Sequence, residues 1–293
     1  MGVPTAGRPA GRFARPTIKG MTDQAVRVRG LRKSYRDTIA VDGLDLDIPH
    51  GEVRALLGPN GAGKTTTVEI LEGHRERDAG EVSVLGVDPG RGGLAWRREI
   101  GIVLQATADA GELTVAEIVR HVARYFPRSR GLDETLELVG LSEKRDSRVR
   151  KLSGGQRRRL DVGLGIVGRP RLLFLDEPTT GFDPVARRQF WSVVRGLEDT
   201  TILLTTHYLD EAEALADHVT VIAAGRVVAE GAPASLGERD VATVSWRDGA
   251  ERTTDPAAVV ARLTASYGGP VPGLSVTRPS LEDVYLDLIG GAR

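Results

Sequence analysis

The stretch GPNGAGKTT, residues 58–66, carries the plainest chemical signal in the sequence. Gly58 to Thr65 fits the spacing G-x-x-x-x-G-K-[ST]. Glycines at these positions let backbone N–H groups turn inward around a phosphate. An apolar, strand-like run precedes the loop and helically spaced apolar residues follow it, so the loop opens a helix whose dipole favours an anion. There Lys64 reaches β- and γ-phosphates, and the Thr65 hydroxyl ligates Mg²⁺. The chain has only five lysines, and one stands where a compact point charge is wanted.

A second signal is RLLFLDEP, 171–178, an apolar strand that delivers two carboxylates at its C-terminal end. Ligands of open α/β sheets bind at that end of the strands. Asp176 is placed to hold Mg²⁺, directly or through water, and Glu177 to orient or deprotonate an attacking water. Taken alone, such a pair is as readily a helix cap. A third signal is KLSGGQRRRL, 151–160, a second Gly-Gly turn opening a helix. One nucleotide needs only one cradle, so this turn calls for another explanation. Its three arginines, 157–159, read as a mostly solvated face.

These segments resemble the nucleotide-binding subunit of ATP-binding-cassette (ABC) transporters over roughly 25–232. LSGGQ at 152–156 is that family's signature. Around it, in family order, are the phosphate loop, LQ at 104–105, LLFLDEP at 172–178, GFDP at 181–184 and TTH at 205–207. Phe182 stands where leucine is commoner. The resemblance implies ATP contacts from Gly58, Pro59, Asn60, Gly61, Ala62, Gly63, Lys64, Thr65 and Thr66, with Tyr35 stacked on adenine. It implies Gln105 near Mg²⁺ or the lytic water, at the joint to a helical subdomain. It places His207 against the γ-phosphate and Glu177, and Asp183 across a dimer interface. Outside that context Tyr35 is a packed strand-end tyrosine, Gln105 a turn, His207 a cap and Asp183 an Asp-Pro turn.

The same resemblance accounts for the second glycine turn. Two subunits of the family pack head to tail, so Leu152, Ser153, Gly154, Gly155 and Gln156 of one chain meet the nucleotide held by the other. A helix N-terminus there faces a γ-phosphate. ATP joins the two chains, and hydrolysis lets them reopen.

The elements that must position these groups follow from periodicity. AVRVRGLRKSYRD alternates as a half-buried strand, and GLDLDIPHGEVRALLG reads as two strands about a turn at Pro49–Gly51. GEVSV and REIGIVLQ are further strands. From 112 to 150 the pattern is helical, with Leu132, Leu136 and Val139 on one face. Helix–strand alternation then resumes, which implies a largely parallel sheet. Beyond 231 come a hairpin about Asp248–Gly249, a helix begun by Pro256, a short strand, and a closing helix capped by Ser280 and Asp283.

With the resemblance, the expected fold is an α/β P-loop NTPase of the ABC ATPase type. It has a mostly parallel RecA-like core, an antiparallel β subdomain, an inserted helical subdomain and a small C-terminal α/β appendage. The expected division is a disordered leader at 1–22, an ATP-binding domain at 23–232 with its helical subdomain at about 106–150, and an accessory domain at 233–293.

Composition narrows the function. Lys+Arg and Asp+Glu both number 40, so no bulk charge favours nucleic acid. The absence of cysteine excludes disulfides, Cys-based zinc sites and a Cys nucleophile. No apolar run approaches the roughly 18 residues of a membrane span. The first twenty residues are rich in Pro, Gly and Arg, lack the apolar core of a signal peptide, and carry Ala6 where myristoylation needs Ser or Thr.

The partners that the resemblance implies are ATP with Mg²⁺, a second copy of the chain in a homodimer, and, since nothing in the chain spans a membrane, a separate transmembrane permease docked on 106–150. The chain would then sit peripherally on the cytoplasmic face of the membrane, with no nucleic acid partner. RPSLEDVYLDLIG at 278–290 and PASL at 233–236 resemble the ending of daunorubicin-resistance (ABC-2 type) exporter ATPases, which implies export of a drug-, antibiotic- or lipid-like cargo. The rivals are an importer ATPase and a soluble ABC ATPase acting on ribosomes or DNA. The tail disfavours the first. Against the second stand the single cassette and the lack of sustained heptads between 105 and 152.

Overall fold

A computed structural model describes residues 24–103, 111–197, 200–237 and 241–290. The expected leader at 1–22 and Gln105 lie outside the described residues.

Strands β1 (Gln24–Tyr35) and β2 (Thr38–Pro49) form a long antiparallel pair. After the turn, β3 (Val53–Leu57) is buried along its whole length. The phosphate loop follows and opens α1 (Lys64–Leu71). Strand β4 (Ala79–Val84) returns to β1 and completes a three-stranded antiparallel sheet, β2-β1-β4. A short helix α2 (Leu94–Arg97) leads to β5 (Ile100–Val103).

The helical stretch holds α3 (Val115–Ala123) and α4 (Leu132–Leu138), followed by α5 (Gly154–Ile166). Then come β6 (Leu172–Asp176), α6 (Pro184–Arg195), β7 (Thr201–Thr206), α7 (Leu209–Leu215), β8 (His218–Ala223) and β9 (Arg226–Gly231). Among the described residues, six strands form the central sheet in the order β5-β6-β7-β3-β8-β9. All neighbours are parallel except the last pair.

Side chains alternate across a strand, so a sheet covered on both faces feeds two cores. Val53, Ala55, Leu57, Leu173, Leu175, Ile202 and Leu204 enter one core with the helices. Leu56, Leu172, Phe174, Leu203 and Ile222 enter the other, with Val26, Val28 and Leu31 of β1 and with Val68 and Leu71 of α1. Leu136 and Val139 are fully buried in the helical-side core, and Leu132 packs on its rim, which confirms the apolar face expected for 132–139.

The last sixty residues contain the hairpin β10 (Ala242–Trp246) and β11 (Gly249–Thr253), α8 (Pro256–Tyr267), β12 (Ser275–Thr277) and α9 (Leu281–Gly290). Val244, Val259, Leu263 and Val271 make a small core of their own. The closing helix does not join it. Leu281 is buried in the main core with Leu236, and Tyr285 and Leu288 pack there too. The expected unit 233–293 is thus split in packing: its sheet and α8 stand on their own core, while α9 docks on the ATPase body near α7. Among the described residues no helix is long and apolar enough to cross a membrane.

Candidate active site

Strand register brings three loops to one edge of the central sheet. Asp176 pairs with Thr205, and Leu57 pairs with Thr206. The residues that follow β6, β7 and β3 therefore emerge side by side at the C-terminal edge.

The phosphate loop leaves β3 at Gly58. A Cβ on Gly58 would come 2.3 Å from the Ile222 carbonyl oxygen, and one on Gly63 (φ 99°) 2.2 Å from that of Ala40. Only glycine allows the loop to lie this close to β8 and β2. The Ala224–Gly225 turn backs the loop, with the Gly225 N–H donating to the Ala62 carbonyl at 3.2 Å. Lys64 is buried, and its Nζ donates to the Gly58 and Pro59 carbonyls at 2.7 and 3.2 Å. Burial lowers its pKa, and the nearby charges of Glu177 and Asp176 oppose that shift. Thr65 is exposed at the first turn of α1, with Thr66 half-buried beside it.

Asp176 accepts a hydrogen bond from the Thr205 hydroxyl at 2.5 Å. Glu177 adopts φ 42°, a left-handed conformation that costs a non-glycine residue about 1 kcal/mol or more. The surroundings hold it there. Its N–H donates to the Thr205 Oγ1 at 3.0 Å, and its carboxylate accepts from the Thr180 hydroxyl at 3.2 Å. His207, just past β7, places Nδ1 3.3 Å from Glu177 Oε1. The His207 ring packs on Tyr208 at 4.1 Å between centroids, and Arg187 covers Tyr208. Register thus joins the two carboxylates, His207 and the lysine loop.

The other expected residues stand on other elements. Ser153 caps α5 in a capping box: the Gln156 N–H donates to Ser153 Oγ at 3.2 Å, and the Ser153 N–H to Gln156 Oε1 at 3.1 Å. Ser153 and Gly154 are exposed, with Leu152, Gly155 and Gln156 half-buried. A Cβ on Gly155 would sit 3.0 Å from that of Ala186, so α5 and α6 meet there. Asp183 caps α6, accepting from the Val185 and Ala186 N–H groups at 2.9 Å each. Tyr35 ends β1 with its side chain partly exposed, and the Arg75 guanidinium lies 5.2 Å from its ring centroid.

The comparisons with known proteins fit this geometry. The family profile described as "ABC transporter" matches residues 41–180. The daunorubicin/doxorubicin resistance ATP-binding protein DrrA of Streptomyces peucetius is 40% identical over 308 residues, covering 91% of this chain and 93% of that one. This chain belongs to the ABC transporter family. A Nod factor export ATP-binding protein I of Neorhizobium galegae is 44% identical over 231 residues, covering 76% of this chain and 66% of its own. A solved structure described as the ATP binding subunit of an ABC transporter superposes with a TM-score of 0.67 at 24% identity, over 90% of this chain and 99% of that one, and supports the fold.

The chain is thus an ABC-type ATPase that binds ATP, with the α/β P-loop fold expected from its motifs. The family resemblance did not anticipate two features of its cassette. The Ala224–Gly225 turn supports the phosphate loop, yet nothing in the spacing marks it. The run 157–159 is not a solvated face. Arg158 is buried, and Arg157 and Arg159 are half-buried, donating to the Val149 and Gly140 carbonyls at 3.3 and 3.2 Å. Three successive arginines read as surface because charge is usually solvated. Here α5 runs between the helical stretch and the sheet, so backbone carbonyls receive all three.

Proposed function

We propose that this ATPase powers a separate membrane permease, exporting a drug-, antibiotic- or lipid-like cargo, by head-to-tail closure of two copies around ATP. One observation carries the dimer part. The phosphate loop, Asp176, Glu177 and His207 meet at one sheet edge, while the signature cap at Ser153 and Gly154 is exposed on another element. A half-site for the nucleotide and a separate exposed helix N-terminus suit two chains that complete each other's sites.

In this reading Lys64 binds the β- and γ-phosphates and Tyr35 stacks on the base. Glu177 orients and deprotonates the attacking water, and His207 fixes the Glu177 carboxylate and contacts the γ-phosphate. Ser153, Gly154 and Gly155, with Leu152 and Gln156, act on the partner's nucleotide, and Asp183 lies at the interface between the copies. The Thr65 hydroxyl and Asp176 carboxylate, with Gln105, would supply oxygen donors of the kind that Mg²⁺ takes. Bound there, the ion would neutralise charge developing on the phosphate oxygens.

The relatives' names support export: one is named for daunorubicin/doxorubicin resistance and another for Nod factor export. The permease would dock on 106–150 and hold the chain at the cytoplasmic membrane face. The test is co-purification of the full chain with the permease encoded beside it, followed by ATPase assays. Cargo-stimulated hydrolysis by the complex is expected. A chain that binds no permease and whose hydrolysis ignores amphipathic cargo would refute the transport part.

A further inference from the structure

The signature helix reaches into its own chain's active site through one buried side chain. Arg158 lies one turn after the Ser153 cap of α5 and is 7% exposed. Its Nη2 donates to the Asp176 carbonyl at 2.9 Å, and its Nε to the Pro178 carbonyl at 3.0 Å. These two carbonyls flank Glu177, the residue held at φ 42°. The planar guanidinium is suited to grip two acceptors in a fixed geometry. Burial disfavours its charge, and Asp161, Asp176 and Glu211 nearby favour it. The side chain is therefore an ion set into the turn that aims the catalytic carboxylate.

We propose that Arg158 is a positioning residue for hydrolysis. It holds the carbonyls of Asp176 and Pro178, the residues on either side of Glu177, and ties the signature helix to the carboxylate of the same chain. The proposal rests on the reading of Glu177 as the group that activates water. Its consequence is a link between two nucleotides. In the head-to-tail reading the N-terminus of α5 faces the partner's ATP, and Arg158, five residues on, sets the Glu177 that serves the chain's own ATP. Engagement of the signature is thereby felt at the other site through a single rigid helix.

The test uses the full chain with Arg158→Met, Arg158→Lys and Glu177→Gln, singly and with each Arg158 variant combined with Glu177→Gln. Arg158→Met is expected to lower kcat about tenfold or more, since small misplacements of a reacting group are costly. KM and the affinity for a fluorescent ATP analogue stay within about twofold, because the phosphate loop is untouched. Arg158→Lys keeps the charge but grips one carbonyl, so its kcat falls between the two. In the Glu177→Gln background neither Arg158 variant costs further turnover. A merely structural arginine would lower nucleotide affinity together with kcat, and by the same fraction in both backgrounds; either result overturns the proposal. If Arg158→Met does not fold, the split between kcat and KM in Arg158→Lys decides. Normal kcat in the Arg158 variants, with Glu177→Gln inactive, refutes the role of Arg158 alone. Normal turnover by Glu177→Gln removes Glu177 from the chemistry and this proposal with it.

Discussion

His207 Nδ1 lies 3.3 Å from Glu177 Oε1, across the ends of two adjacent parallel strands. The pairing of Asp176 with Thr205 sets this contact, because each residue stands just beyond a fixed rung of the sheet. Replacing His207 with Ala should leave nucleotide affinity near normal and lower hydrolysis roughly a hundredfold, the usual scale for an oriented proton-transfer or charge-stabilising group. Steady-state ATPase assays beside equilibrium nucleotide binding check this; a large loss of affinity would place His207 in binding instead.

Lys64 is buried with its ammonium already within the loop, at Gly58 and Pro59. Lys64→Ala removes a charge-assisted contact to phosphate and should weaken ATP binding by roughly ten- to a hundredfold. Titration with a fluorescent nucleotide measures it, and unchanged affinity would sink the cradle assignment.

Glu72 closes α1, buried 3.2 Å from His74 Nδ1. Burial, with Asp176 and Glu69 nearby, pushes its pKa up to about 8. The folded chain therefore holds a proton that the unfolded chain releases above the ordinary range near 4.5. Stability from this group is full at low pH and falls as pH rises from about 4.5 towards 8, at about 1.4 kcal/mol per pH unit at most. Glu72→Gln should flatten the fall in melting temperature across that window; an equally steep profile in the variant would assign the pH dependence elsewhere.

Leu281 is 1% exposed in the main core, although it belongs to the tail. Leu281→Ala should destabilise the ATPase body by about 2–5 kcal/mol, the range for a buried leucine. Urea unfolding followed by loss of nucleotide binding reports it. No change would show that α9 contributes little to that core.

Most of the residues of the candidate nucleotide half-site are legible in the sequence alone. Gly58–Thr65, Asp176 and Glu177 are short local motifs whose chemistry demands those residue types, and their strands are apolar enough to read directly. What the sequence conceals depends on packing between distant segments. The β8–β9 turn uses Ala224 and Gly225 at φ 47° and 75°, a hairpin geometry that Asn-Gly would have announced and that Ala-Gly hides. Strand β9, RVVAEG, lacks alternation because it is a half-covered edge. Arg158 looks like its neighbours in sequence, and only the approach of α5 to the β6 turn distinguishes it. The tail reads as one unit because α9 is amphipathic whichever core it serves; its docking on α7 is set in three dimensions.

In the proposed head-to-tail dimer the signature of one chain completes the nucleotide site of another. The most direct measurement is the mass in solution of Glu177→Gln with ATP and Mg²⁺, alone and with Gly154→Arg added. Glu177→Gln with ATP should show twice the chain mass, and adding Gly154→Arg should return it to a single-chain mass with ATP still bound. A Glu177→Gln protein that stays a single chain under saturating ATP, or a dimer indifferent to Gly154→Arg, would contradict it.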